Sequence, residues 1–180
     1  MLEMTISTLQ GLPSFLAYFA VATALFVAFA LIYSWVTPHH EFELIRANNI
    51  SIATKVMENF GRNMDGWYDN LHDNIVMEFP FGPSVGMPAR VEGKAACSAV
   101  FASVCDMVRV KFHDIVIHPQ LDPNSLIIEY KGHGDPEPGA YDQTYICVQE
   151  YKDGKMIKFK EYWNSKIVFD LFGDLSALGS

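Results

Sequence analysis

Between Glu3 and Glu41 the chain runs for 37 residues without an Asp, Glu, Lys or Arg, whereas beyond it polar and apolar positions recur at helix or strand periods. The stretch Leu12–Val36, LPSFLAYFAVATALFVAFALIYSWV, is helix-compatible throughout, with Pro13 where a first turn tolerates it. Its 25 residues reach about 37 Å as a helix, enough to cross a hydrocarbon core of ~30 Å with some tilt. Tyr33 and Trp35 at one end and Phe15 and Tyr18 near the other suit two membrane interfaces. A small domain could not enclose a helix that is apolar all round, and a cleaved signal peptide would have a basic leading segment and a shorter apolar run. Residues 1–40 therefore read as a membrane anchor with its span at about 12–36, and residues 41–180 as a separate domain.

In that domain Ile45, Ile52, Val56 and Phe60 share one helical stripe that stops at Gly61, and a short helix is expected around 64–71. IVMEFPF, residues 75–81, reads as a strand, and the following GPSVGMPARVEG as a loop. Residues 94–107 place Cys97, Val100, Phe101 and Val104 on one helix face. Four strand patterns follow: VRVKFHDIVIHP, SLIIEYKGHG, DQTYICVQEY and MIKFKEYWNSKIVF. They are separated by LDPN, a Gly/Pro-rich loop at 134–139 and Lys152-Asp153-Gly154-Lys155, whose Asp-Gly pair signals a hairpin. Helices followed by a mostly antiparallel meander make an α+β domain.

Charge narrows the function classes. The 180 residues carry 13 basic and 21 acidic side chains, a net charge of −8, of which −7 lies beyond residue 40. No basic stripe is present, which argues against nucleic acid as a partner. The span has no basic residue on its N-terminal side, but Arg46 and Lys55 follow it, which puts the C-terminal domain in the cytoplasm. Three cysteines, an odd number without framework spacing, agree with a reducing compartment. Asn49-Ile50-Ser51 matches a glycosylation sequon, which would matter only on the opposite side. The six histidines show no metal-ligand spacing, and there is no phosphate-binding glycine loop or Ser-His-Asp motif, so neither metal nor cofactor is expected.

Two resemblances add to this reading. DNLHDNIVMEFPF, RVEGKAA, YKGHG and KDGKMIKFKEYWN, in that order, resemble the SnoaL-like branch of the nuclear transport factor 2-like superfamily over about residues 50–172. The resemblance implies a cone, a curved sheet wrapped against helices around a pocket, often dimeric through the outer sheet face. Its members include polyketide cyclases, ketosteroid isomerases and small phenazine-biosynthesis proteins, so the fold alone does not fix a reaction. Residues 10–49, through LPSFLAYF, LIYSWVTPHHE and LIRANN, resemble the first segment of a family of small multi-span bacterial inner-membrane proteins of unknown function.

Alternation in the last strand puts Ile157, Phe159, Glu161 and Trp163 on one face, inward, and Lys158, Lys160 and Tyr162 on the other. A carboxyl between Phe159 and Trp163 would be desolvated, which raises its pKa and suits it to acid/base work near neutrality. The resemblance likewise puts the Glu of the phenazine-branch E-[YF]-x-N element, here Glu161, in the pocket. The alternative is a buried Glu neutralised by an Arg or His, or a Glu at the sheet rim. Tyr145 shares a face with Cys147, Gln149 and Tyr151 and could orient a substrate carbonyl or simply pack. Polyketide-cyclase-like members place an acidic residue where this chain has Cys147. His133, between two glycines at a strand end, could lean over a pocket mouth, where an imidazole titrates in a useful range, or be a solvated loop residue with Asp135. Trp67, Phe79, Phe81, Met87, Tyr130 and Trp163 could furnish an apolar lining or plain core. The expectation is a membrane-tethered, cofactor-free enzyme that isomerises, dehydrates or cyclises a small apolar carbonyl or ring compound. The rival is a non-catalytic ligand-binding or dimerisation module.

Overall fold

The computed structural model describes residues 2–137 and 139–176, with the side chains of residues 12–36, 40–137 and 139–176. It divides into two compact units between Glu43 and Leu44. The expected 134–139 loop includes Pro138, which lies outside the described residues. Helix α1 covers Leu2–Asn59. Every side chain from Leu12 to Val36 is exposed, and this is the one helix among the described residues long and apolar enough to cross a membrane. The helix expected to end at Phe60 is the last part of α1, which closes one residue earlier, before Gly61.

In the second unit α2 (Met64–Asp69) is followed by β1 (Leu71–Glu78), a 3-10 turn (Gly82–Val85), β2 (Arg90–Glu92) and α3 (Lys94–Val108). Strands β3 (Lys111–Pro119), β4 (Ser125–Gly134), β5 (Tyr141–Lys152) and β6 (Lys155–Trp163) come next, and α4 (Ser165–Phe172) ends the series. The six strands form one sheet in the order β2-β1-β6-β5-β4-β3, antiparallel except for the β1–β6 pair. Register shifts in β3–β4 and β5–β6 supply the local bends that curve a sheet. The β5–β6 turn is closed by Asp153 and Gly154, both at positive φ, as the Asp-Gly pair requires.

The sheet's inner face and the helices laid on it bury one core. Phe60 is its aromatic hub, stacked on Phe112 at 4.3 Å and edge-on to Phe101 at 5.5 Å and Trp67 at 5.6 Å. Asn49 fixes α1 to the β3–β4 loop by donating to the Pro123 carbonyl at 3.0 Å and to Asn124 Oδ1 at 3.3 Å. Only 3% exposed, it offers no accessible acceptor to a glycosyltransferase, so the sequon is a structural asparagine.

Three expectations are corrected. Strand β1 begins at Leu71, a residue assigned above to the preceding helix, which ends at Asp69. The long last strand breaks after Trp163: Asn164 Oδ1 accepts from the Lys166 backbone N–H at 3.0 Å, an N-cap that starts α4. In β6 the inward set is Met156, Phe159, Glu161 and Trp163, not Ile157, which is half-buried. Glu150 pairs with Lys158 and Tyr151 with Met156, so Ile157 is the extra residue of a bulge that shifts the alternation.

Candidate active site

Alternation along β5 brings Tyr141, Gln143, Tyr145, Cys147, Gln149 and Tyr151 to the inner face, all buried. Across the β5–β6 ladder Cys147 faces Glu161 and Tyr145 faces Trp163. Glu161 thus reaches a hollow of about 60 Å³ between the sheet, α3 and α4, lined by Phe79, Met87, Tyr145, Trp163 and residues of both helices. No Lys, Arg or His lines it among the described residues. Glu161 is 6% exposed, and the Tyr130 hydroxyl donates to its Oε1. Burial pushes the carboxyl from the ordinary 4.5 up to about 7, against the Tyr130 hydrogen bond, which favours the charged form. A buried carboxyl without a counter-ion, half ionised near neutrality, can accept or return a proton at little cost.

The tyrosines form a layer behind it. The Tyr130 and Tyr145 rings stack at 4.8 Å, and the Tyr141 and Tyr145 hydroxyls are hydrogen-bonded at 3.0 Å. Burial holds the Tyr145 hydroxyl well above its usual pKa, so it stays a neutral donor. Burial, then Glu161, pushes the Cys147 thiol up as well, which leaves it protonated and no nucleophile. Gln143 ties β5 to the start of α4: its Nε2 donates to the Asn164 carbonyl at 3.0 Å and its Oε1 accepts from Asn164 N–H at 3.1 Å.

The other candidates are distributed unevenly. Phe79, Met87, Tyr145 and Trp163 line the hollow with Glu161. Tyr130 is buried behind the carboxyl, and Trp67 lies in the aromatic core. Phe81 is on the surface, 49% exposed, edge-on to Tyr162. His133 does not meet Glu161. Leu126, Ile128, Tyr130, Gly132 and Gly134 take the inner face of β4, so His133 points outward, with Nδ1 2.8 Å from Asp142 and Nε2 3.5 Å from Asp135. Sequence reasoning missed the α4 wall, Val168 and Phe172, together with Leu175. The signal for it was Asn164, a capping residue ahead of the apolar helical stripe Ile167, Val168, Leu171 and Phe172.

Replacing Tyr130 by phenylalanine removes the one hydrogen bond that holds the Glu161 carboxyl down. Its pKa is expected to rise above about 7, read from the carboxyl stretch in an infrared pH titration with Glu161→Gln as the blank.

Residues 56–159 match the family model described as the SnoaL-like domain. The chain belongs to that family. Residues 7–60 match a second family, described only as a domain of unknown function, DUF350. Among curated relatives, the uncharacterized protein YesE of Bacillus subtilis is 32% identical over 115 residues, 62% of this chain and 78% of its own. The inner membrane protein YjfL of Escherichia coli is 46% identical over 45 residues, 25% of this chain and 34% of that protein. This SnoaL-like protein thus joins its domain to a segment similar to part of an inner membrane protein. Among solved structures, a phenazine biosynthesis-related protein from Pseudomonas aeruginosa superposes with a TM-score of 0.66 at 19% identity, covering 74% of this chain and 90% of that one. A Mycobacterium tuberculosis protein in complex with estradiol-17beta-hemisuccinate gives 0.57 at 18% identity, covering 67% and 96%. The fold is nuclear transport factor 2-like, α+β with an open curved sheet, preceded by a long apolar helix.

Proposed function

We propose that this SnoaL-like protein is a membrane-anchored, cofactor-free acid/base enzyme acting on a small apolar carbonyl or ring compound, by isomerisation, dehydration or cyclisation. One observation carries the reading: Glu161, buried and thereby pushed up to about 7, borders an apolar hollow lined, among the described residues, by no Lys, Arg or His. Glu161 takes a proton from the carbon beside the carbonyl, and the electron pair moves onto the carbonyl oxygen. Tyr145 donates to that oxygen, and the proton then returns to another carbon of the conjugated system or leaves with a hydroxyl. The estradiol derivative held by the mycobacterial relative is an apolar ring compound and supports the ligand class. Anchoring suits a substrate that partitions into a bilayer. On this reading the helix spans once, with the domain on the cytoplasmic side where Arg46 and Lys55 follow the span. Two copies pair through the outer sheet face, where Val116 and Ile146 are exposed.

A hollow of about 60 Å³ is small beside ordinary ligand pockets of roughly 300–1,000 Å³. A second hollow of about 40 Å³ shares Met87, Val104, Met107 and Leu175 with it. Rotation of the two unbranched methionines joins them around a ring-sized guest. The same small volume favours the second reading, a non-catalytic binding or dimerisation module.

The test is solvent exchange. The full chain in a nonionic detergent is incubated in D2O with a panel of apolar cyclic ketones, and deuterium uptake at the carbon beside the carbonyl is followed by mass spectrometry. Enzyme-dependent uptake that falls by roughly 10²–10⁴-fold in Glu161→Gln is expected. Uptake no faster than buffer across the panel, or equal uptake in the variant, leaves the binding module.

A further inference from the structure

A second cleft, separate from the hollow at Glu161, has a volume of about 570 Å³ and is lined by Arg62, Arg109, Lys111 and His133 together with Asp106 and Asp135. Its placement follows from the chain. The end of α1 closes tightly on the start of β3: a Cβ at Gly61 would lie 2.2 Å from the Val110 carbonyl oxygen, with Lys111 Cγ 3.9 Å away. Arg62 therefore projects beside the Arg109–Lys111 segment. Val110 is buried, whereas Arg109 and Lys111 on either side of it are exposed and line the cleft. Lys111 is the ladder partner of His133, which puts those two side chains next to each other on the same face.

Among the described residues Arg62, Arg109 and Lys111 make no ion pair, in a chain whose net charge is −8. Asp135, by contrast, is 3.5 Å from the His133 ring. In the cleft Arg62, Arg109 and Lys111 outnumber Asp106 and Asp135, and an oxyanion seated there would balance that positive excess. Two guanidinium forks and one ammonium match the several oxygens of a phosphate group better than they match a single carboxylate. Arg109 adds an independent observation. It ends α3 in the left-handed conformation, at φ 52° and ψ 34°, where a glycine or asparagine is usual and a Cβ is disfavoured. The backbone conformation at that position does not call for arginine.

We propose that this cleft binds a phosphate group, carried either by a soluble phosphorylated small molecule or by an anionic lipid headgroup. The site is independent of the acid/base chemistry at Glu161, and the two stand or fall separately. The full chain in dodecyl maltoside is titrated with inorganic pyrophosphate by calorimetry at low ionic strength. In parallel, native mass spectrometry compares retention of phosphatidylglycerol with that of phosphatidylcholine. Expected is pyrophosphate binding with Kd on the order of 0.1–1 mM, or selective retention of phosphatidylglycerol, the first assigning a soluble ligand and the second a headgroup. Either is weakened at least about tenfold in Arg109→Gly and lost in the combined Arg62→Ala, Arg109→Gly, Lys111→Ala variant. Glu161→Gln binds like the parent. Arg109→Gly folds with an unchanged or higher Tm, since glycine relieves the left-handed backbone, so its loss of binding cannot be assigned to unfolding. Absence of both signals, or signals that persist in the combined variant, overturns the site.

Discussion

Exchanging Glu161 for glutamine is expected to flatten the pH dependence of stability between about pH 4.5 and 7 and to make the protein the more stable form at pH 8. The sign follows from proton counting. In the folded chain the carboxyl titrates at about 7, in the unfolded chain near 4.5, so between these values the folded state holds the extra proton. Stability therefore falls as pH rises through this window and stays low above it, because folding at pH 8 must bury a carboxylate. Moving the pKa from 4.5 to about 7 corresponds to roughly 3 kcal/mol. Glutamine keeps an oxygen for the Tyr130 hydroxyl and carries no charge at any pH. Its own desolvation cost is constant, so the difference between the proteins widens by roughly 3 kcal/mol from pH 4.5 to pH 8. Urea unfolding of both full chains in nonionic detergent, followed by tryptophan fluorescence across that range, checks it. Parallel stability curves would mean that the carboxyl is hydrated in the folded protein, and the proton-transfer reading would fall with it.

Phe60→Ala is expected to cost about 3–5 kcal/mol, a large share of the roughly 5–15 kcal/mol that holds an ordinary domain together. The ring is 2% exposed and touches three aromatic neighbours, Phe112, Trp67 and Phe101, from β3, α2 and α3. Its loss leaves a cavity that none of those elements can close without moving the others. Tm should drop by on the order of 10 °C or more, while Phe60→Leu, which refills most of the space, should lose only about 1–2 kcal/mol. Differential scanning fluorimetry separates the two. A loss in Phe60→Ala no larger than in Phe60→Leu would show that the end of α1 does not anchor the core.

Sequence patterning carried far where one periodicity governed a segment. The β5 faces followed from strict alternation between Thr144 and Tyr151, and the Asp153-Gly154 turn from two residues that accept positive φ. Glu161 was visible because Phe159 and Trp163 flank it at period two on the inner face. The glycines that flank His133 suggest a pocket mouth, but the alternation of Leu126, Ile128 and Tyr130 along the same strand assigns it outward, and that periodicity governs. Ile157 was misread because a bulge depends on the partner strand, information that one strand does not contain. Helix α4 was hidden behind a β-branched, aromatic run that fits either element; Asn164 was the available discriminator. Size was illegible altogether, since the volume left by Phe172, Met107 and Leu175 depends on rotamers set by tertiary packing.

The reciprocal pair of hydrogen bonds between Gln143 and Asn164 bears on how a guest could enter. It fastens the hinge end of the α4 wall to β5, two residues before Tyr145. A wall fastened at that end can move only by pivoting about it, whereas entry past the methionines needs only torsions of thioether chains. The doorway would then be the Met87–Met107 side, and oxidation of those two sulfurs would jam it while the proton donor stayed intact.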